Sequence, residues 1–236
     1  MTAWGAALVG ARVLPLVALA PFLGGSLPAS VRLAVAFALA AALWPLGAPP
    51  PDAGPALLVL LAVKEAAVGA TLGFVSSLVF WAAATAGRLA ETASGLPRLA
   101  TLHRLLAVVI FFGVGGHRLV LAAWWRSYEV VPVGSFVAAA SFPAAAGVLL
   151  RLTGDLIAVA LGLAAPVLAA TLLADLFAAA VARFAPEISV AMLALPVRAL
   201  AGLGTLALGS LVLARALGTG VRGAATATDA LLRVLR

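Results

Sequence analysis

Proline, glycine pairs and single charges cut the apolar residues of this chain into unequal runs, and these runs predict its elements. A helix needs about 20 predominantly apolar residues to cross a bilayer core, and few runs supply that without interruption. The pattern predicts a first helix from Trp4 to Ala20 with a kink at Pro15. A turn-rich segment, Pro21 to Pro28, follows, with Ser30 as N-cap of a short helix from Val31 to Trp44. Pro45 and the Pro49-Pro50-Pro51 run predict a stiff loop. A long helix runs from Ala56 to about Ala93, and Gly95 and Pro97 break it before a helix over Leu99 to Trp125. Gly113, Gly115 and Gly116 loosen or divide that helix.

Trp124-Trp125-Arg126 and Tyr128-Glu129 read as an interfacial girdle, with amphipathic rings at headgroup level. Beyond the Val131-Pro132-Val133-Gly134 turn, apolar sequence reaches Leu150 and is interrupted by Arg151 and Asp155. It resumes from Leu156 to Phe184, with Pro166 inside. Ala185-Pro186-Glu187 is a tight break before the last apolar stretch, Ile188 to about Leu217, kinked at Pro196. From Arg222 the pattern changes. Arg222, Thr226, Asp229, Arg233 and Arg236 fall on one helical face, with Ala227, Leu231 and Val234 on the other. Residues 222–236 thus read as a basic amphipathic helix suited to membrane lipid or a partner protein, with Asp229 and Arg233 paired.

Composition sharpens this picture. Hydrophobic residues are 65% of the 236 and charged ones 10%, with a mean hydropathy of +1.21. An ordinary water-soluble domain is excluded. Strand signals are weak, so the fold class is an all-α membrane protein, a bundle of short, Pro-broken helices. Residues 1–221 read as one membrane-embedded unit, with 222–236 part of the same domain. The Met1-Thr2-Ala3-Trp4 start lacks a basic region, so the first helix is expected to be retained. The net charge is +7, and Arg215, Arg222, Arg233 and Arg236 crowd the C-terminal end, which predicts a cytoplasmic C-terminus. Nucleic-acid binding is a poor explanation, because most arginines are isolated in apolar sequence. Cysteine is absent, and His103 and His117 are too few for a His-based metal cluster.

Several constellations are candidates for function. Glu65, Gly69, Gly73 and Ser77, spaced by four, line one stripe of a helix, and Gly69 to Gly73 is a GxxxG that admits another backbone. Glu65 reads either as a charge at a subunit or channel contact or as a structural ion pair. Lys64 points about 100° away and need not be its partner. Asp175 is isolated among apolar residues, with Arg183 two turns on. It is a functional candidate by default, although a buried interhelical hydrogen bond or ion pair also explains it. Arg151 with Asp155, and Arg88 with Glu91, are spaced to pair. Ser94 with His117 superficially resembles a Ser–His arrangement, but Ser94 sits at a helix end and reads as a turn serine. No phosphate loop, zincin motif or dinucleotide fingerprint occurs, so neither a catalytic residue nor a cofactor is expected.

The order of landmarks resembles the FliR/SctT (SpaR) family of the type III secretion and flagellar export apparatus. Arg12-Val13-Leu14-Pro15, Ala20-Pro21-Phe22 and Leu27-Pro28-Ala29-Ser30-Val31-Arg32-Leu33-Ala34 follow the family's N-terminal progression. Lys64-Glu65, Gly69, Gly73-Phe74, Ala86-Gly87 and Glu91 form a second match, and Gly116-His117-Arg118-Leu119 with the Val131–Gly134 turn a third. The most specific is Asp175 with Arg183-Phe184-Ala185-Pro186-Glu187-Ile188-Ser189-Val190 and Leu195-Pro196-Val197.

The resemblance implies a single-copy subunit of an export gate in the bacterial inner membrane, with hairpins packed in a spiral. Its partners would be FliP/SctR-like, FliQ/SctS-like and FlhB/SctU-like subunits, and unfolded exported polypeptides would be its substrates. Glu65, Gly69, Gly73, Asp175, Arg183, Pro186 and Glu187 would lie at subunit interfaces or the channel. The family's Gly-rich plug loop is shortened or absent here, and Ser94, Gly95 and Pro97 mark where its remnant would lie. Glu187 stands where the family carries Gln. The alternative reading is the membrane subunit of a small-molecule transporter, built from the same broken helices and isolated acids.

Overall fold

The computed structural model describes residues 3–23, 28–47, 54–138, 141–184 and 190–235. Among the described residues the chain is all helical. Seven α-helices are α1 (Ala3–Leu19), α2 (Ala29–Leu43), α3 (Pro55–Ser94), α4 (Leu99–Gly113), α5 (Gly116–Val130), α6 (Ser141–Phe184) and α7 (Val190–Leu235). Single 3-10 turns at Pro21–Leu23 and Trp44–Leu46 follow α1 and α2. α2 with its 3-10 turn, α3 and α6 are long and apolar enough to cross a membrane, and α4 with α5 make a fourth if counted as one broken span. The expected Pro49-Pro50-Pro51 loop and the break at Ala185-Pro186-Glu187 lie outside the described residues.

Two compact units emerge. The first comprises Met1–Leu78, Gly115–Thr153 and Arg222–Arg236, and the second Val79–Val114 and Gly154–Val221. The core of the first joins Val9, Val13 and Leu16 of α1, Leu61 and Leu72 of α3, and Trp124 and Tyr128 of α5. α7 runs unbroken to Leu235. Its Leu231 is buried with Val75 and Ala145, with Ala227 and Val234 packed alongside. In the second unit Phe80 meets Phe111 edge-on at 5.2 Å between ring centroids. Ala90, Leu99 and Val167 form a small cluster there.

Several boundaries follow directly from backbone chemistry. α3 starts at its Pro55 and ends before Gly95, whose φ of +72° suits a residue without Cβ. The helix expected over Leu99 to Trp125 is divided, because Gly115 adopts φ +74° and caps α5. Ser30 is not the N-cap of α2. The helix opens at Ala29, and the carbonyl of Pro28 accepts from Val31 N–H at 3.0 Å and Arg32 N–H at 3.2 Å. Proline has a preset φ and no N–H to satisfy, so it holds this position without a side-chain cap.

Other expectations are corrected by burial and packing. Only Trp125 of the expected girdle faces outward as a large ring. Trp124 and Tyr128 are buried, and Trp124 stacks on Phe22 at 6.4 Å. Arg151 and Asp155 do not interrupt α6, which is one helix of 44 residues. Both are exposed and, among the described residues, neither forms the i,i+4 ion pair. Asp229 accepts from Arg126 at 3.2 Å rather than pairing with Arg233, and Glu91 accepts from the Ala100 N–H at 3.2 Å rather than pairing with Arg88.

Candidate functional site

The seam on α3 fixes the geometry of the first unit. Glu65, Gly69, Gly73 and Ser77 face α1, and the glycines let the two backbones meet. A Cβ on Gly69 would lie 1.9 Å from the carbonyl oxygen of Arg12, and one on Gly73 would lie 3.0 Å from Cα of Leu16. One turn further on, the Ser77 hydroxyl lies 2.6 Å from the Gly73 carbonyl and 2.5 Å from that of Leu19. What the GxxxG admits is α1 of the same chain.

This close approach carries the Arg12 side chain onto Glu65. The guanidinium donates through Nε to Glu65 Oε2 at 2.5 Å, through Nη1 to Ser127 Oγ at 3.1 Å and through Nη2 to the Val131 carbonyl at 2.7 Å. Its plane also sits over Tyr128, with Cζ 4.1 Å from the ring centroid. Such a cation–π contact gains strength where water is excluded. Ser127 in turn donates to the Trp124 carbonyl at 2.6 Å. Arg12 is 1% exposed and Glu65 0%.

Lys64 completes the cluster. Its ammonium forms an ion pair with Glu65 Oε1, a charge contact without hydrogen-bond alignment. It donates to the carbonyls of Pro132 at 2.9 Å and Val133 at 3.3 Å. Lys64 is therefore a partner of Glu65 after all. The helical offset between neighbours is spanned by the length and flexibility of the two side chains. Two cations and one anion thus pin the segment after α5 to α1 and α3. A buried ion pair contributes little net stability over an apolar one, because desolvating both charges offsets their attraction. What it imposes is register, since each guanidinium nitrogen of Arg12 has its own acceptor.

The second unit holds the other candidates. Asp175 of α6 pairs with Arg198 Nε of α7, and neither side chain is buried (38% and 40% exposed). Its partner is Arg198, not Arg183, and the pair is not buried as one sequence reading had it. Arg183 is exposed in the last turn of α6. Pro186 and Glu187 lie outside the described residues.

The segment from Ser94 to Arg98 is a tight turn. Ser94 is buried, its Oγ donates to the Ala90 carbonyl at 2.7 Å and accepts from Leu96 N–H at 3.3 Å. α7 packs over it so closely that a Cβ on Gly202 would lie 2.6 Å from that of Ser94. Gly95 and Pro97 are exposed, and Arg98 adopts φ +67°.

Sequence reasoning singled out Glu65 and its glycines but did not join Arg12, Ser127 or Tyr128 to them. The one available signal was Arg12 itself, a lone cation within the apolar first helix that requires an acid or a carbonyl in lipid.

Residues 3–223 match the bacterial export proteins, family 1. The flagellar biosynthetic protein FliR of Escherichia coli (strain K12) is 28% identical over 173 residues, covering 64% of this chain and 65% of that protein. The chain thus spans about 65% of the length of that relative. With the match running from the first helix through the pinned α1–α3 seam to the last, the chain belongs to family 1 of the bacterial export proteins.

Proposed function

We propose that this protein is a core subunit of a type III or flagellar export gate in the bacterial inner membrane, a conduit for unfolded polypeptides. The observation that carries this reading is the family match over residues 3–223. The bare helices support it: only 6% of the apolar span at Ala29–Leu46 and 22% of that in α6 is buried within the chain. Surfaces of this kind suit a subunit covered by lipid and by other helical subunits. FliP/SctR-like, FliQ/SctS-like and FlhB/SctU-like proteins are the partners of this reading, with the C-terminus on the cytoplasmic side.

Within it, Glu65, Gly69 and Gly73 act from inside the subunit, by holding α1 against α3 so that the outer faces keep their shape. Asp175, Arg183, Pro186 and Glu187 belong to a subunit-facing or channel-facing surface, where the half-exposed Asp175–Arg198 pair can exchange partners. Ser94, Gly95 and Pro97 form the reduced channel plug.

The test is affinity purification of a C-terminally tagged copy from solubilised native membranes, with the co-purifying chains identified. Recovery of FliP/SctR-like and FliQ/SctS-like subunits is expected. A protein that purifies alone, or with an ATPase subunit, overturns the reading and favours a small-molecule transporter.

A further inference from the structure

α1 and α2 leave an apolar groove between them of about 420 Å³, floored by Gly10, Ala36 and Ala40 and walled by Leu33, Phe37 and Trp44. The floor is open, since a Cβ on Gly10 would meet nothing within 4 Å. Phe37 stands beside it 78% exposed. Arg32 lies four residues before Ala36 and eight before Ala40, so it occupies the same helical stripe one turn beyond the floor. It is the single charged residue of α2. Its Nε is shielded from solvent and has no hydrogen-bond partner among the described residues. A half-buried guanidinium at the end of an apolar groove is costly until an acceptor reaches it. The chain is short of acids to supply one, with 15 Lys and Arg against 8 Asp and Glu.

We infer that the α1–α2 groove docks an apolar helix of a partner subunit, and that a carboxylate on that helix pairs with Arg32. The inference rests on the export-gate reading and deepens it by naming a surface and the chemistry of its occupant. A helix fits better than a lipid acyl chain. A floor of Gly and Ala lets a second backbone come close enough for dispersion contacts along its length. A flexible chain gains nothing from small residues. The cation at one end then sets the register of the incoming helix, because only one turn of it reaches the guanidinium.

The experiment places a benzophenone amino acid at Phe37 in the tagged full-length chain, irradiates native membranes and maps the adduct by mass spectrometry. The expected adduct is a membrane-helix peptide of another subunit with Asp or Glu within two turns of the attachment point. Arg32→Ala should lower its yield at least about tenfold, as loss of one member of a desolvated charge pair does. Arg32→Glu combined with an Arg at the partner's acid should restore it. Gly10→Leu serves as a second variant, since a Cβ there meets nothing within 4 Å and the rest of the side chain extends from the floor of the groove. It should abolish the adduct while leaving the protein's yield in membranes unchanged. An adduct to phospholipid, to a second copy of this chain, or to a protein helix indifferent to both Arg32→Ala and Gly10→Leu overturns the inference. If export subunits still co-purify in that case, the export-gate reading stands and only the docking surface falls.

Discussion

Arg12 and Glu65 meet at 2.5 Å with both side chains withdrawn from solvent. They are also held by unequal sets of neighbours. Arg12 has a hydroxyl, a carbonyl and an aromatic face besides the carboxylate, while among the described residues Glu65 is held by Arg12 and Lys64 alone. Removing Glu65 leaves the two cations without a carboxylate, whereas removing Arg12 leaves Glu65 still paired with Lys64.

Glu65→Gln should therefore destabilise the detergent-solubilised protein by about 3–5 kcal/mol and Arg12→Met by less, since Lys64 still neutralises Glu65, and the combined variant should lose less than the sum of the two. Thermal unfolding followed by size-exclusion chromatography measures it. Additive losses in the double variant would show that the two side chains act independently.

Gly69→Ala should be among the most damaging small substitutions in the chain, since its methyl group would fall 1.9 Å from a backbone oxygen that cannot swing aside. A loss of about 3 kcal/mol is expected from forced separation of α1 and α3. Gly10→Ala on the facing helix meets nothing within 4 Å. It should instead stabilise by up to about 1 kcal/mol through helix propensity. Protease susceptibility of the two variants in the same detergent separates these outcomes.

Arg98 holds φ +67° in the turn between α3 and α4. A left-handed residue with a Cβ costs about 1–2 kcal/mol, part of which glycine returns through the freedom of the unfolded chain. Arg98→Gly should raise stability by about 0.5 kcal/mol, and Gly95→Ala, at φ +72° with Leu195 Cδ1 3.0 Å from the new methyl, should lower it. Paired unfolding curves check the opposite signs.

Asp175→Asn should leave the stability of the isolated chain within about 1 kcal/mol, because the pair with Arg198 is nearly 40% exposed and such pairs contribute little. Its effect should appear in the assembled complex, as a loss of co-purifying subunits. Full assembly by this variant would remove Asp175 from any interface.

Much of the architecture was legible in local pattern. Pro55 and Gly95 bound α3, Gly115 divides α4 from α5, and the spacing of Gly69 and Gly73 announced a close backbone contact. Each is a property of neighbouring residues. The missed features depend on which helix lies opposite. Periodicity put Arg183 two turns from Asp175 but had no means of locating Arg198 on another helix. Composition placed Trp124 and Tyr128 at a membrane surface, although Tyr128 is buried with its ring against the Arg12 guanidinium. Arg151 and Asp155 looked like a break because they are polar, yet both tolerate an exposed place in a continuous helix.

The order in which the pin's parts are synthesised has a consequence for biogenesis. Glu65 follows Arg12 by 53 residues and the Val131 carbonyl by 119. At roughly 5–20 residues per second, the last acceptor leaves the ribosome on the order of 10 s after the first helix. Until then the Arg12 guanidinium lacks the acceptors that hold it in the folded chain, and an unpaired guanidinium in apolar surroundings is costly. The final seating of Arg12 is therefore timed by the emergence of α5 and the turn that follows it.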